Sequence, residues 1–371
     1  MSFYQTYQYY KDFDFKAHFN STSDNTVLKA INKDILTPTD LMSLLSPSAE
    51  KYLEQMAQRA KRITFQYFGK AIVLYAPLYI SDYCDNHCAY CGFNAENHIS
   101  RKKLAPKEIE QEAIAIASTG IRHLLVLTGD SRKHSPVAYI IEAVQILKKH
   151  FPSISVEIYA LDEEEYKELI EAGVDGLTMY QETYDEELYA KLHPAGPKRN
   201  YLFRLDAPER ACNATMRSVN VGALLGLNNW RKDVFFTLLH AKYLQDKYSD
   251  IEVSVSFPRI QPHSGESNTL YPVSDKHFVQ SILAARLFLN RAGITISTRE
   301  SANFRDNLIG LGVTRMSIGS KTTVGGYAKN NVNKQFEISD DRDINTFKKV
   351  LLSKGFEPVL KDWQNIDVKH L

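Results

Sequence analysis

Three cysteines fall within eight residues of the stretch YISDYCDNHCAYCGF (Tyr79–Phe93): Cys84, Cys88 and Cys91. Only one other cysteine, Cys212, occurs in the 371 residues. The spacing C-x3-C-x2-C is too compressed for a strand or a regular helix to present, but it suits a loop wrapped around one small inorganic object. A four-iron cluster normally takes one cysteine thiolate per iron. Three cysteines therefore leave one iron without a protein ligand, and a small molecule can chelate that iron and receive an electron directly. Zinc, held by the three cysteines with His87 or a distant group, is the competing reading. Structural zinc sites usually pair their ligands as two separated knuckles, which this compact trio does not do. Cys212, in APERACNATMRS, reads as a small buried apolar residue of a helix.

A cluster loop needs a rigid frame, and the chain supplies the pattern of one. From residue 71 onward, short apolar runs alternate with longer amphipathic stretches. The predicted strands are Ala71–Ile80, His123–Thr128, Ile154–Tyr159, Gly176–Tyr180, Val219–Leu225, Glu252–Phe257, Ile294–Thr298 and Arg315–Ser320. Helical periodicity fits Pro106–Thr119, Val137–His150, Glu163–Ala172, Val234–Tyr248 and Asp275–Asn290 between them. The sequences EAGVDG and RAGITI each place a glycine where a helix should stop before the next strand. Eight such alternations predict an α/β fold of the TIM type, a parallel (β/α)8 barrel, rather than an open sheet.

Residues 1–70 read as an N-terminal helical extension, 71–325 as the barrel and 326–371 as a C-terminal tail. In the extension Ser46 can cap a helix that Gly69 ends, with Leu53, Met56, Ala57, Ala60, Ile63 and Tyr67 along one face. The connection 181–218 has room for two short helices. The tail has one helix, Asp343–Ser353, followed by KDWQN, to which no element is assigned.

Barrel active sites collect at the C-terminal ends of the strands. The cysteines follow the first strand, Gly129 and Asp130 the second, and Gln181 and Glu182 the fourth. Ser256 and Arg259 close the sixth, Arg299 and Glu300 the seventh, and Ser317 and Ser320 lie at the eighth. These distant stretches converge on one expected pocket.

Composition removes several classes of function. Lys and Arg total 45 against 44 Asp and Glu, so no sustained basic surface for nucleic acid is expected. A hydrophobic fraction of 44% with balanced charge argues for a folded chain. The most apolar run, AIVLYAPLYI, is too short to span a bilayer and contains Pro77. The start, MSFYQTYQYYKDFDFK, has no apolar core of a signal peptide, and the cysteine usage fits a reducing, cytoplasmic setting.

The cysteine spacing, with Tyr90 just before the last cysteine, resembles the signature of the radical S-adenosylmethionine (SAM) enzymes. The resemblance implies a 4Fe-4S cluster on Cys84, Cys88 and Cys91 whose open iron binds SAM, and a radical SAM barrel. Further blocks narrow it: YQETYDEELYAKLH, RLDAPERA, GALLGLNNWRKD, VSFPRI, STRES and GGYA resemble successive segments of the 2-iminoacetate synthase family, the tyrosine lyases of thiamine thiazole biosynthesis. That family cleaves the Cα–Cβ bond of L-tyrosine to 2-iminoacetate and p-cresol. By this resemblance Gly129 and Asp130 match the turn whose backbone holds SAM's amino group, although the family more often has Glu at the Asp130 position. Glu182 matches a SAM-contacting polar position, and Arg204 the partner of SAM's carboxylate. Arg299 is assigned to the substrate carboxylate with Ser317 assisting, and Tyr79 to the border of the aromatic ring. Without the family, Arg204 and Arg299 read as surface ion pairs, Ser317 as a turn residue and Tyr79 as core. Thiazole synthase as product acceptor and flavodoxin or ferredoxin as electron donor are implied partners.

Neighbouring families share this barrel. The tyrosine lyase of iron-hydrogenase maturation carries a second cluster on later cysteines, and here none follows Cys212. Sulfur insertion of the biotin synthase kind would need more cysteines than remain. Tryptophan-cleaving relatives differ by substrate. A non-enzymatic iron–sulfur or zinc sensor would leave the polar strand ends without a purpose.

Overall fold

The computed structural model describes residues 2–261, 271–328, 334–361 and 363. Eight parallel strands close into a ring: β1 (Ala71–Ser81), β2 (His123–Thr128), β3 (Ser153–Glu157), β4 (Gly176–Glu182), β5 (Ser218–Ala223), β6 (Glu252–Ser256), β7 (Gly293–Ile296) and β8 (Arg315–Ser317). Each pairs with the next, and β8 returns to β1 through Val73–Arg315, Leu74–Met316 and Tyr75–Ser317. The barrel expected from the alternation is the barrel observed. A ninth strand, β9 (Glu357–Val359), also pairs with β1, at Ala71–Glu357. The sequence-based reading of residues 326–371 contained no such strand, because three residues show no alternation to detect.

The helices on the barrel follow the pattern closely. Pro106–Ala117, Val137–Leu147, Glu163–Ala172, Trp230–Lys247 and Asp275–Phe288 form the outer layer, and a shorter helix over Ala302–Leu308, not predicted, follows β7. Caps set their starts: Ser274 accepts from the His277 amide, and Asp343 from the Thr346 amide ahead of Ile344–Ser353. The β4–β5 connection holds three short α-helices (Glu186–Leu192, Tyr201–Leu205 and Ala207–Asn213), where room for two was expected. Cys212 is buried on the last of these.

In the extension, four further helices (Phe3–Tyr10, Phe15–Ser21, Asp24–Asn32 and Pro38–Leu45) precede the predicted one. The predicted helix is a 3-10 turn over Pro47–Tyr52 that becomes regular over Leu53–Phe68, and it ends at Gly69 with φ 62°. Met56, Ala60 and Ile63 are buried on the barrel as the stripe requires, while Tyr67 at its end faces solvent. Phe3 stacks on His240 of the β5–β6 helix with ring centres 4.2 Å apart, so the first helix is fastened to the outer layer. Of KDWQN, Lys361 and Trp363 are among the described residues; Trp363 lies against the Arg217 guanidinium at 4.6 Å. Among the described residues no helix is long and apolar enough to cross a membrane.

Candidate active site

Residues 82–100 form no helix or strand, so their backbone must be held by other means. Arg101 does much of this, donating to the carbonyls of Asp82 at 2.7 Å, Phe93 at 2.9 Å and Asn94 at 2.6 Å. The β2 turn supports one side. Gly129 passes so close that a Cβ there would meet the Tyr83 carbonyl at 2.4 Å. Beside it the Asp85 amide donates to the Asp130 carbonyl, and the Asn86 side chain to the Asp130 carboxylate, both at 2.9 Å. The β4–β5 connection supports the other side. The Lys198 amide donates to Asn86 Oδ1 at 2.9 Å, and Gly196 lies where a Cβ would collide with the same oxygen. Tyr90 is tied to His193 at 2.7 Å. His193 Nδ1 reaches the Tyr189 carbonyl, and burial depresses the ring to about 3, so it stays neutral and its Nε2 accepts from the Tyr90 hydroxyl.

The loop opens onto a cavity at the C-terminal ends of the strands. All ten residues singled out from the sequence line it: Tyr79, Cys84, Cys88, Cys91, Gly129, Asp130, Glu182, Arg204, Arg299 and Ser317. Ser320 lines it as well, whereas Gln181, Ser256, Arg259 and Glu300 do not. Arg259 and Glu300 pair with each other beside the cavity, and Arg259 also reaches Asp275 at 2.8 Å. Gln181 is buried away from it, as alternation along a strand dictates for the neighbour of an inward-facing residue.

The three thiols suit an iron–sulfur cluster in chemistry and placement. All three line one cavity, and burial pushes each thiol up, that of Cys88 to about 12, so thiolates there need a cationic partner such as iron. Among the described residues no three His, Cys, Asp or Glu groups gather as a single-ion site would require. His87, the candidate fourth zinc ligand, is paired instead with Glu96 at 3.0 Å.

Opposite the cysteines stands a compact ionic wall. β4 shifts register between Tyr180 and Glu182, and Glu182 adopts φ 70°, a left-handed conformation costly for a residue with a Cβ. Its carboxylate binds Lys198 at 2.6 Å and lies 3.8 Å from Arg204. Burial would raise the Glu182 carboxyl, but Lys198 and Arg204 outweigh it and hold the group ionised. Arg204 is anchored through Nε to the Tyr180 carbonyl at 2.7 Å, which fixes its fork at the cavity edge.

Arg299 differs from these. Its guanidinium stacks on Phe336 at 3.4 Å and makes no side-chain hydrogen bond or ion pair among the described residues. Ser317 Oγ accepts from the Thr298 amide at 3.1 Å, so the serine supports the turn that carries Arg299. The Tyr79 hydroxyl donates to Gln335 at 2.7 Å, and the Gln335 amide reaches Cys91 Sγ at 3.7 Å.

Sequence reasoning missed several lining residues, Lys198, Gln335, Phe336 and Glu157 among them. Lys198 sits in HPAGPKRN with nothing to mark it, and Gln335 and Phe336 come from a tail without periodicity. Glu157 carried a usable signal: a carboxylate at the C-terminal end of a barrel strand, SISVE, where barrel sites are built.

Comparison with known proteins agrees with this geometry. A family model of the radical SAM superfamily matches residues 78–238, and one of the Biotin and Thiamin Synthesis associated domain matches 256–357. The 2-iminoacetate synthase of Escherichia coli (strain K12) is 40% identical over 354 residues, 95% of this chain and 94% of its own. The crystal structure of HydG, a maturase of the FeFe-hydrogenase, matches with TM-score 0.90 and 31% identity, covering 94% of this chain and 80% of that one. Methylornithine synthase shares the fold, with TM-score 0.72 and 23% identity over 90% of this chain and 97% of its own.

Proposed function

The chain belongs to the 2-iminoacetate synthase family of radical SAM enzymes, and from this we propose that it cleaves L-tyrosine between Cα and Cβ. The protein is a carbon–carbon lyase that uses a 4Fe-4S cluster and SAM. The products are 2-iminoacetate and p-cresol, with SAM leaving as methionine and 5′-deoxyadenosine. The iminoacetate serves the thiazole of thiamine. When bound, the cluster and SAM supply a deoxyadenosyl radical that abstracts a hydrogen atom.

The chain's own residues do the placing. Cys84, Cys88 and Cys91 hold three irons of the cluster. The Gly129–Asp130 turn takes SAM's amino group, Glu182 a polar group of SAM, and Arg204 its carboxylate, for which a planar fork is suited. Arg299 takes the tyrosine carboxylate on a turn that Ser317 supports, and Tyr79 borders the aromatic ring. Holding the substrate at a fixed distance matters because a primary radical abstracts from whichever C–H lies nearest.

The observation that carries this reading is one cavity lined by three thiols and by a guanidinium that has no hydrogen-bond or ion-pair partner among the described residues. Hydrolysis of free 2-iminoacetate in water favours direct transfer to thiazole synthase. Flavodoxin or ferredoxin supplies the electron, and the cytoplasm is the compartment. Anaerobic incubation of reconstituted protein with SAM, reductant and tyrosine tests the assignment. It should yield p-cresol. Abundant 5′-deoxyadenosine with another amino acid and no p-cresol from tyrosine would overturn it.

A further inference from the structure

β3 ends at Glu157, and its side chain faces the same cavity. Glu182 on the neighbouring strand is bound by Lys198, but no group among the described residues hydrogen-bonds the Glu157 carboxylate. The carboxylate is half-buried at the cavity wall, so a ligand that fills the cavity must offer it a donor in place of water. In the eight-membered ring, β3 and β7 lie opposite each other, four strands apart in either direction. Arg299, just beyond β7, and Glu157 therefore stand on facing walls, close enough that the guanidinium favours the ionised form of the carboxylate.

Three tyrosine rings, Tyr75, Tyr79 and Tyr180, line the same cavity. Tyr79 donates to Gln335 at 2.7 Å, and Tyr180 accepts from Ser256 at 2.8 Å. Among the described residues none of the three hydroxyls hydrogen-bonds Glu157.

The substrate's geometry then decides which donor arrives. In an α-amino acid the ammonium and carboxylate share one carbon, so a carboxylate held by Arg299 keeps the ammonium on the β7 side. The far end of tyrosine is its phenol. Building on the tyrosine lyase reading, we propose that Glu157 receives the substrate's phenol O–H and thereby selects tyrosine over phenylalanine. A site built to hydrogen-bond a substrate hydroxyl rejects the analogue lacking it far more strongly than an apolar pocket can. The charges around it suit this role. Burial and Glu182 push the Glu157 carboxyl up to about 7 against Arg299, Arg204 and Lys198, which makes it a stronger acceptor than an ordinary carboxylate.

The test is calorimetric titration of cluster-loaded, SAM-bound enzyme with L-tyrosine and with L-phenylalanine, for wild type, Glu157→Ala and Glu157→Gln. Wild type should favour tyrosine by roughly 100-fold or more, and Glu157→Ala should reduce that preference to about tenfold or less through loss of tyrosine affinity alone. Glu157→Gln, which keeps an acceptor, should fall between them. Phenylalanine and SAM affinities should stay within about threefold, which also shows that the variants are folded. Parallel loss of tyrosine and phenylalanine binding, a drop in SAM affinity, or an unchanged preference would each overturn the assignment. Wild-type p-cresol formation in the same preparation separates the two claims. Its absence removes the tyrosine lyase reading, whereas its presence with unchanged discrimination removes only the role of Glu157.

Discussion

Replacing Arg299 with alanine removes a guanidinium that stacks on Phe336 at 3.4 Å and makes no side-chain hydrogen bond or ion pair among the described residues. Loss of that contact costs about 1 kcal/mol of folding stability, so the variant should fold. The cost to substrate is larger. Each hydrogen bond to a charged group contributes about 1.5–3 kcal/mol, and a bidentate fork makes two. Because Arg299 is only half-buried, the lower half of that range applies, and about 3 kcal/mol corresponds to roughly 100-fold in kcat/KM for tyrosine. Arg299→Lys keeps the charge and loses the fork, and should fall by about tenfold. The assay measures p-cresol and 5′-deoxyadenosine together in anaerobic turnover, with and without tyrosine. Tyrosine-independent SAM cleavage should persist in both variants, since the proposed SAM contacts, Arg204 and Glu182, are left intact. A kcat/KM for p-cresol within about threefold of wild type, or an equal loss of tyrosine-independent SAM cleavage, would refute the assignment.

Lys198→Met should strand the buried Glu182 charge and lower the free energy of unfolding by about 3 kcal/mol, with Lys198→Met/Glu182→Gln recovering most of it in denaturant titrations. Cys91→Ala should abolish the cluster's visible absorbance and leave substoichiometric iron, whereas Cys212→Ala, in a buried helix away from the cavity, should retain both. Burial depresses His240 to about 3, and the unfolded chain takes the same proton near 6.5, so acid favours unfolding. The stability His240 contributes is complete above about pH 6.5 and is lost toward pH 3 at about 1.4 kcal/mol per pH unit. His240→Phe should make the stability profile between about pH 6 and pH 4 shallower by that amount in equilibrium denaturation, and an unchanged slope would contradict the burial argument.

The parts legible in the sequence are those with local causes. The alternation of apolar runs fixed eight strands because every barrel strand is buried on both faces, and Gly173 marked a helix end that the structure places at φ 120°. The cysteine loop was legible because its chemistry requires contiguous spacing. The three-residue β9 and the helix Ala302–Leu308 were not, being too short to show a period. The ionic wall was half visible: Glu182 and Arg204 stood in recognisable blocks, but Lys198 reaches them only because the β4–β5 connection folds over the cysteine loop. Arg259 and Glu300 were misplaced for a related reason. A strand's end was read as the cavity, while the side chains point outward and pair with each other. Gln335 and Phe336 arrive from more than 200 residues beyond the cysteines, and no local pattern encodes such a contact.

The account depends most on an iron that no protein thiolate reaches. Electron paramagnetic resonance of anaerobically reconstituted, reduced protein, recorded before and after SAM is added, addresses it directly. A reduced 4Fe-4S signal whose g-values shift on adding SAM is the expected result. A sample with no cubane signal after reconstitution, or a signal that SAM leaves unaltered, would contradict it.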